Sequence, residues 1–218
     1  MLTRDMISQT IPYLHLHDKV HHALQLMNDY HVGHLPVVRE EAYVGIVSEE
    51  QLLHSDDDEF IEELHYADGS SSVQGTDHFL KAVQVAVANK LSVVPIVEKE
   101  HMLGVVTYDD LLRNTSNFMS LNNPGALIVL EIESTSYSFA EISRIVETND
   151  AQITQLNTYI DPETGIMQVT IRVSKLEVSD IIATFQRYEY TVKYYFGEEL
   201  YENELRTNYD NLMNYLEI

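Results

Sequence analysis

The chain has 218 residues, 44% of them apolar and none of them cysteine, which suffices for two ordinary domains and excludes disulfides, thiol nucleophiles and thiolate metal sites. Thirteen basic residues stand against 35 acidic ones, a formal net charge of -22 with no run of Lys or Arg, so neither nucleic-acid phosphates nor an anionic membrane surface is an expected partner. No apolar run approaches a membrane span, and MLTRDMISQT lacks the basic-then-apolar layout of a secretory leader, so a cytoplasmic location is expected.

The first half repeats itself without a gap at a spacing of 59 residues. Asp18 aligns with Asp77, Ala23 with Ala82, Pro36 with Pro95 and Gly45 with Gly104; LPVV returns as VPIV, and GIVSEEQLL as GVVTYDDLL. Such a duplication predicts two copies of one supersecondary unit that bury their faces against each other. Within each copy the pattern changes in a fixed order. A short strand around Leu14 to His17 leads to Asp18, read as the N-cap of an amphipathic helix with Val20, Ala23, Leu24 and Met27 on one face. Asp77 opens the matching helix, with Phe79, Leu80, Ala82, Val83 and Ala86. Apolar strands follow at Leu35 to Val38 and Val44 to Val47, and again at Val93 to Val97 and Leu103 to Val106, with hairpin turns between. Ser48 and Thr107 then cap helices with acidic first turns.

This βαββα pattern, with its joint Pro and Gly motif occurring twice in register, resembles the cystathionine-β-synthase-type (CBS) domain, in tandem over about residues 1 to 113. The expected boundaries are residues 1–57 and 58–113 for the repeats. The resemblance implies a sensor module that takes an adenosine-containing ligand in the cleft between repeats. It places the ribose-binding Thr and Asp at Thr107 and Asp110, with Val94 and Pro95 on the strand beside them. A carboxylate can accept both ribose hydroxyls, and a helix N-terminus favours a phosphate. Copy one departs from the pattern: Ser48 is kept, but Gln51 stands where the Asp belongs, so that site is expected to be weakened or empty. Family members often carry a base before the Pro to meet phosphate; here those positions hold His34 and Val93. AMP or S-adenosylmethionine is therefore a better expected ligand than ATP. All ten histidines precede residue 102, and His17 and His21 have i, i+4 spacing, but no carboxylate constellation accompanies them and no metal site is expected.

Residues 114–125, polar and turn-rich, read as a linker. Beyond it, ALIVLEIES reads as a strand, FAEISRIVETND as a helix burying Ile142, Ile145 and Val146, AQITQLNTYI and MQVTIRV as a hairpin about DPETG, VSDIIATFQRY as a second helix, and YTVKYYF as a last strand. The order βαββαβ predicts a ferredoxin-like sheet. Over residues 126–197 it resembles an ACT domain, and a CBS pair followed by an ACT domain is similar to the acetoin-utilisation type of regulatory protein. ACT domains often bind amino acids through a turn after the first strand bearing Asp and then Gly. Here that turn runs from Glu133 to Ser138 without a Gly, which favours dimerisation over amino-acid binding. Residues 198–218 read as an exposed helix with Leu205, Tyr209, Leu212 and Leu216 on a stripe that needs a partner surface.

The predicted fold class is thus α+β: a tandem CBS pair, a ferredoxin-like ACT domain and a C-terminal helix. No P-loop, dinucleotide Gly motif or nucleophile–base pair is present, so no enzyme is expected. The function expected is a homodimeric sensor relaying a small-molecule effector to a protein partner; the alternatives are a ligand-free dimerising scaffold or an amino-acid sensor through the ACT interface.

Overall fold

The computed structural model describes residues 1–8, 10–64 and 71–197; the predicted C-terminal helix lies outside them. The chain divides into two compact units, Met1–Thr115 and Ser116–Ile218.

In the first unit copy one comprises β1 (Leu14–His15), α1 (Val20–Tyr30), β2 (His34–Arg39), β3 (Ala42–Ser48) and α2 (Glu49–Leu52). Copy two comprises β4 (Val73–Gln74), α3 (Phe79–Asn89), β5 (Val93–Glu98), β6 (His101–Thr107) and α4 (Tyr108–Phe118). Every element but the last helix keeps the spacing of 59. Even the backbone irregularities repeat: α1 and α3 both end on a left-handed residue, His31 and Lys90, and both hairpins turn through positive φ at Glu40 and Lys99. The outlying helix, α4, is longer than α2 and stays helical through Phe118, into the stretch that reads as linker.

The six strands lie in the order β1-β2-β3-β6-β5-β4, which reads the same from either end once the copies are exchanged. At its centre the exchange is reciprocal: Tyr43 N–H donates to Glu100 O and Met102 N–H to Glu41 O, at 2.8 and 3.0 Å. The helices bury Val20, Ala23 and Met27 in one copy and Phe79, Ala82 and Ala86 in the other. Val20, Ala23 and Met27 of one and Ala82 and Ala86 of the other join a single apolar cluster with Leu35, Val47, Val94 and Val106, as the duplication predicts.

Asp18 and Asp77 are not helix caps. Their carboxylates accept the N–H groups of His15 (2.7 Å) and Gln74 (2.8 Å), closing the turn that leaves each short parallel strand, and the N-cap positions fall on Lys19 and His78. A short carboxylate beside two loose donors satisfies whichever its turn brings closer.

The segments leading into the two copies are exchanged. Residues 1–8 seat on copy two, through Thr3 N–H to Asp77 O, Arg4 N–H to Gly75 O and Ser8 N–H to Val105 O. The stretch between the copies seats on copy one, through Ile61 N–H to Asp18 O and Glu62 N–H to Leu16 O.

The second unit comprises β7 (Leu127–Glu133), α5 (Phe139–Glu147), β8 (Ile153–Ile160), β9 (Ile166–Val173), α6 (Ser179–Arg187) and β10 (Thr191–Phe196). Its antiparallel sheet runs β10-β7-β9-β8, the ferredoxin-like order. Ile128, Leu130 and Ile132 alternate inward from β7, Val169 and Ile171 from β9; Ile142, Ile145 and Val146 of α5 and Ile181, Ile182 and Phe185 of α6 cover them.

Candidate functional site

Thr107 ends β6 and Asp110 lies in the first turn of α4, so the strand-to-helix junction sets both side chains together. Thr107 Oγ1 donates to Asp110 Oδ2 at 2.7 Å and accepts the Asp110 N–H at 3.1 Å. The other carboxylate oxygen, Oδ1, takes the Arg113 guanidinium at 3.2 Å. Asp110 lines a cavity of about 320 Å³ with Asn114 on one side and Asp5, Met6, Ile7 and Ser8 on the other. The far wall is the exchanged N-terminal segment, which no local pattern in the sequence ties to Asp110. Val94 and Pro95 are buried in β5, paired to Val106 and Val105, and do not reach this cavity.

A second cavity, of about 200 Å³, brings together His34, Ser48 and Gln51 of copy one with Asn89 and Leu91 of copy two. Ser71 and Asn89 add polar atoms, and Ile46 and Leu91 the apolar wall. Ser48 Oγ accepts the Gln51 N–H at 3.2 Å, so the helix cap is kept although the acid is not. The lining holds no carboxylate among the described residues. His34 is half-buried, and burial pulls its pKa below the ordinary histidine value.

In the second unit, the turn after β7 is a short 3-10 turn (Ser134–Ser136), and Ser138 caps α5 by accepting the Glu141 N–H. A cavity of about 360 Å³ beside this turn is lined by four carboxylates, Glu131, Glu133, Glu141 and Glu189, together with Tyr188 and Tyr190. Two of these carboxylates are ion-paired, Glu131 with Lys193 at 2.8 Å and Glu141 with Arg144 at 3.6 Å. Tyr190 donates to Glu141 Oε2 at 2.8 Å; burial, then the Glu141 bond and charge, push its pKa up to about 12.

Among the described residues no group of three or more His, Asp or Glu side chains is placed to hold a metal ion, and no helix is long and apolar enough to cross a membrane.

Comparison with known proteins gives a match to the CBS domain family over residues 4–58 and 71–117. Among solved structures, a CBS domain pair/ACT domain protein from Thermotoga maritima superposes with a TM-score of 0.50 at 22% identity, over 54% of this chain and 98% of that one. The CBS domains of a Streptococcus pneumoniae transcriptional regulator (TM-score 0.48, 20% identity) cover 52% of this chain and 98% of theirs. A Vibrio cholerae protein named for acetoin utilization (0.48, 22%) covers 56% and 95%. At these identities the likeness is one of fold. The first unit of this chain is therefore a tandem pair of CBS domains, and the second, by its strand order, a ferredoxin-like α+β domain.

Proposed function

We propose that the protein is a non-catalytic sensor whose copy-two cavity takes an adenosine-containing ligand. The observation that carries this reading is Asp110, one wall of a cavity of about 320 Å³, with Thr107 hydrogen-bonded beside it. A ribose diol would replace Thr107 and Arg113 as the donors to the two carboxylate oxygens, in a cavity at the lower end of the size of small-molecule sites. With Asp5 and Asp110 both in the lining against the Arg113 guanidinium that pairs with Asp110, AMP or the sulfonium of S-adenosylmethionine fits better than a triphosphate. A homodimer with an unidentified protein partner completes the proposal: the ligand acts by binding two arrangements of the repeats unequally.

One observation favours the other reading, a ligand-free scaffold. Both oxygens of Asp110 already have partners within the chain, as a purely structural cap would.

Thermal unfolding against AMP, ADP, ATP, S-adenosylmethionine, NAD and a set of amino acids separates them. A ligand at about 100 times its dissociation constant adds roughly 2.7 kcal/mol, a clear melting shift. The sensor reading expects a shift with an adenosine compound that disappears in Asp110→Asn, a variant that keeps the side-chain shape. A shift with an amino acid alone moves the site to the ACT-like unit, and no shift with any compound sinks the sensor reading.

A further inference from the structure

Beside the two candidate cavities the repeats meet at the starts of β2 and β5, and there the internal symmetry is broken. The equivalent pairs are Gly33-His34 and Ser92-Val93. Gly33 N–H donates to Ser92 Oγ at 3.0 Å. Ser92 N–H in turn donates to His34 Nδ1 at 3.2 Å, and Ser92 Oγ lies at 3.2 Å from the same nitrogen. A backbone N–H can only donate, so Nδ1 must present a lone pair and the ring proton resides on Nε2. The Ser92 hydroxyl, whose oxygen already accepts from Gly33, is left to give its hydrogen to Nδ1 as well. The whole junction is consistent with one protonation state of one imidazole.

We propose that His34 is a proton-responsive pin between the two CBS repeats: neutral, it accepts the Ser92 N–H and holds them together; protonated, it sets N–H against N–H and releases that junction. Each partner is tied to a helix start. Ser92 O accepts the Tyr108 N–H at the head of α4, and Gly33 O accepts the Glu49 N–H at the head of α2, both at 2.9 Å. Release at His34 therefore acts one bond away from the helix that carries Asp110.

The surroundings oppose the charged form. Ser48 on β3, Gln51 on α2, Asn89 on α3 and Ser71 share the lining of the second candidate cavity with His34, and none is charged. Glu49 and Glu50 on α2 and Lys90 after α3 are the nearest charged residues along those elements, and none lines that cavity. Burial accordingly holds the His34 pKa below 6.5. An anionic group entering the cavity would favour the imidazolium and open the pin; a neutral one would leave it shut.

The test is a nitrogen-15 NMR titration of the full chain from pH 8 to pH 5, following the His34 ring and the Gly33 and Ser92 amides. The ring is expected as the Nε2–H tautomer, titrating below 6.5, with both amides shifting at the same midpoint. In His34→Gln, which keeps a neutral acceptor, those shifts should vanish. Urea unfolding supplies a second readout with a definite sign. Because the folded pKa is the lower one, the His34 contribution is complete above the unfolded value and is lost as pH falls through the folded one. Wild type should therefore lose stability relative to His34→Gln as the solution is acidified. A His34 ring titrating at or above 6.5, an Nδ1–H tautomer, or a Ser92 amide indifferent to the ring overturns the proposal; since those readouts need only wild type, it is decided even where the variant folds poorly.

Discussion

Gly104 shows why one residue of a repeated motif cannot change. Its φ is +148°, and a Cβ there would come within 2.5 Å of the Ile7 side chain and 3.4 Å of Ser8 O. The glycine leaves room for the N-terminal segment to lie across β6. Gly104→Ala should therefore cost about 1–3 kcal/mol through strain and displacement of Ile7, read as a lower urea midpoint at unchanged slope. An unchanged midpoint would mean that the segment moves aside freely. Single residues were also where the sequence misled. Asp18 and Asp77 read as helix caps, because a carboxylate before an apolar period has that appearance, and only geometry shows the turn N–H groups of His15 and Gln74 lying nearer.

Elements were more legible, since periodicity survives whatever the neighbours do. The strand–helix order of both units follows from alternation and the 3.6-residue period, and the gap-free repeat makes each copy a check on the other. What periodicity does not carry is where a helix stops when no Gly or Pro ends it, as in α4, which continues to Phe118 through polar residues. Nor does it show contacts between elements, such as that of Tyr190, just before β10, with Glu141 of α5. The tyrosine ring packs edge-on to Phe185 at 5.6 Å while its hydroxyl reaches the carboxylate. Its folded pKa of about 12 lies above the ordinary tyrosine value of 10.0. The folded state thus keeps a proton that the unfolded chain gives up, so this contribution is complete below the unfolded value and is lost as pH rises towards the folded one. The stability difference between wild type and Tyr190→Phe should stay flat from pH 8 to about 9.5 and shrink above it, by urea unfolding at each pH. A difference that is flat through pH 11 would show that the hydroxyl is solvated as in the unfolded chain.

At the scale of the molecule, the candidate site was half legible. Thr107 and Asp110 fall together at the β6–α4 junction, and Ser48 and Gln51 with His34 at the β3–α2 junction and its neighbouring strand, because each set is local to its own copy. Asp5 to Ser8, which wall the copy-two cavity, arrive from about a hundred residues away, and Ser92 becomes a partner of His34 only once the copies are laid on each other. Deleting residues 1–8 should accordingly raise amide exchange at Phe79 of copy two, whose N–H donates to Met1 O, before it affects Val20 and His21 of copy one. Equal loss in both copies would show that the segment supports the pair as a whole. The exchange of leading segments also bears on descent and on engineering. A single repeat cut from this chain at its own sequence boundaries would keep the arm that serves its sibling and lose the one that serves itself. The heritable and transplantable unit is therefore the couple, and a lone copy could be made whole only by finding a second of its kind.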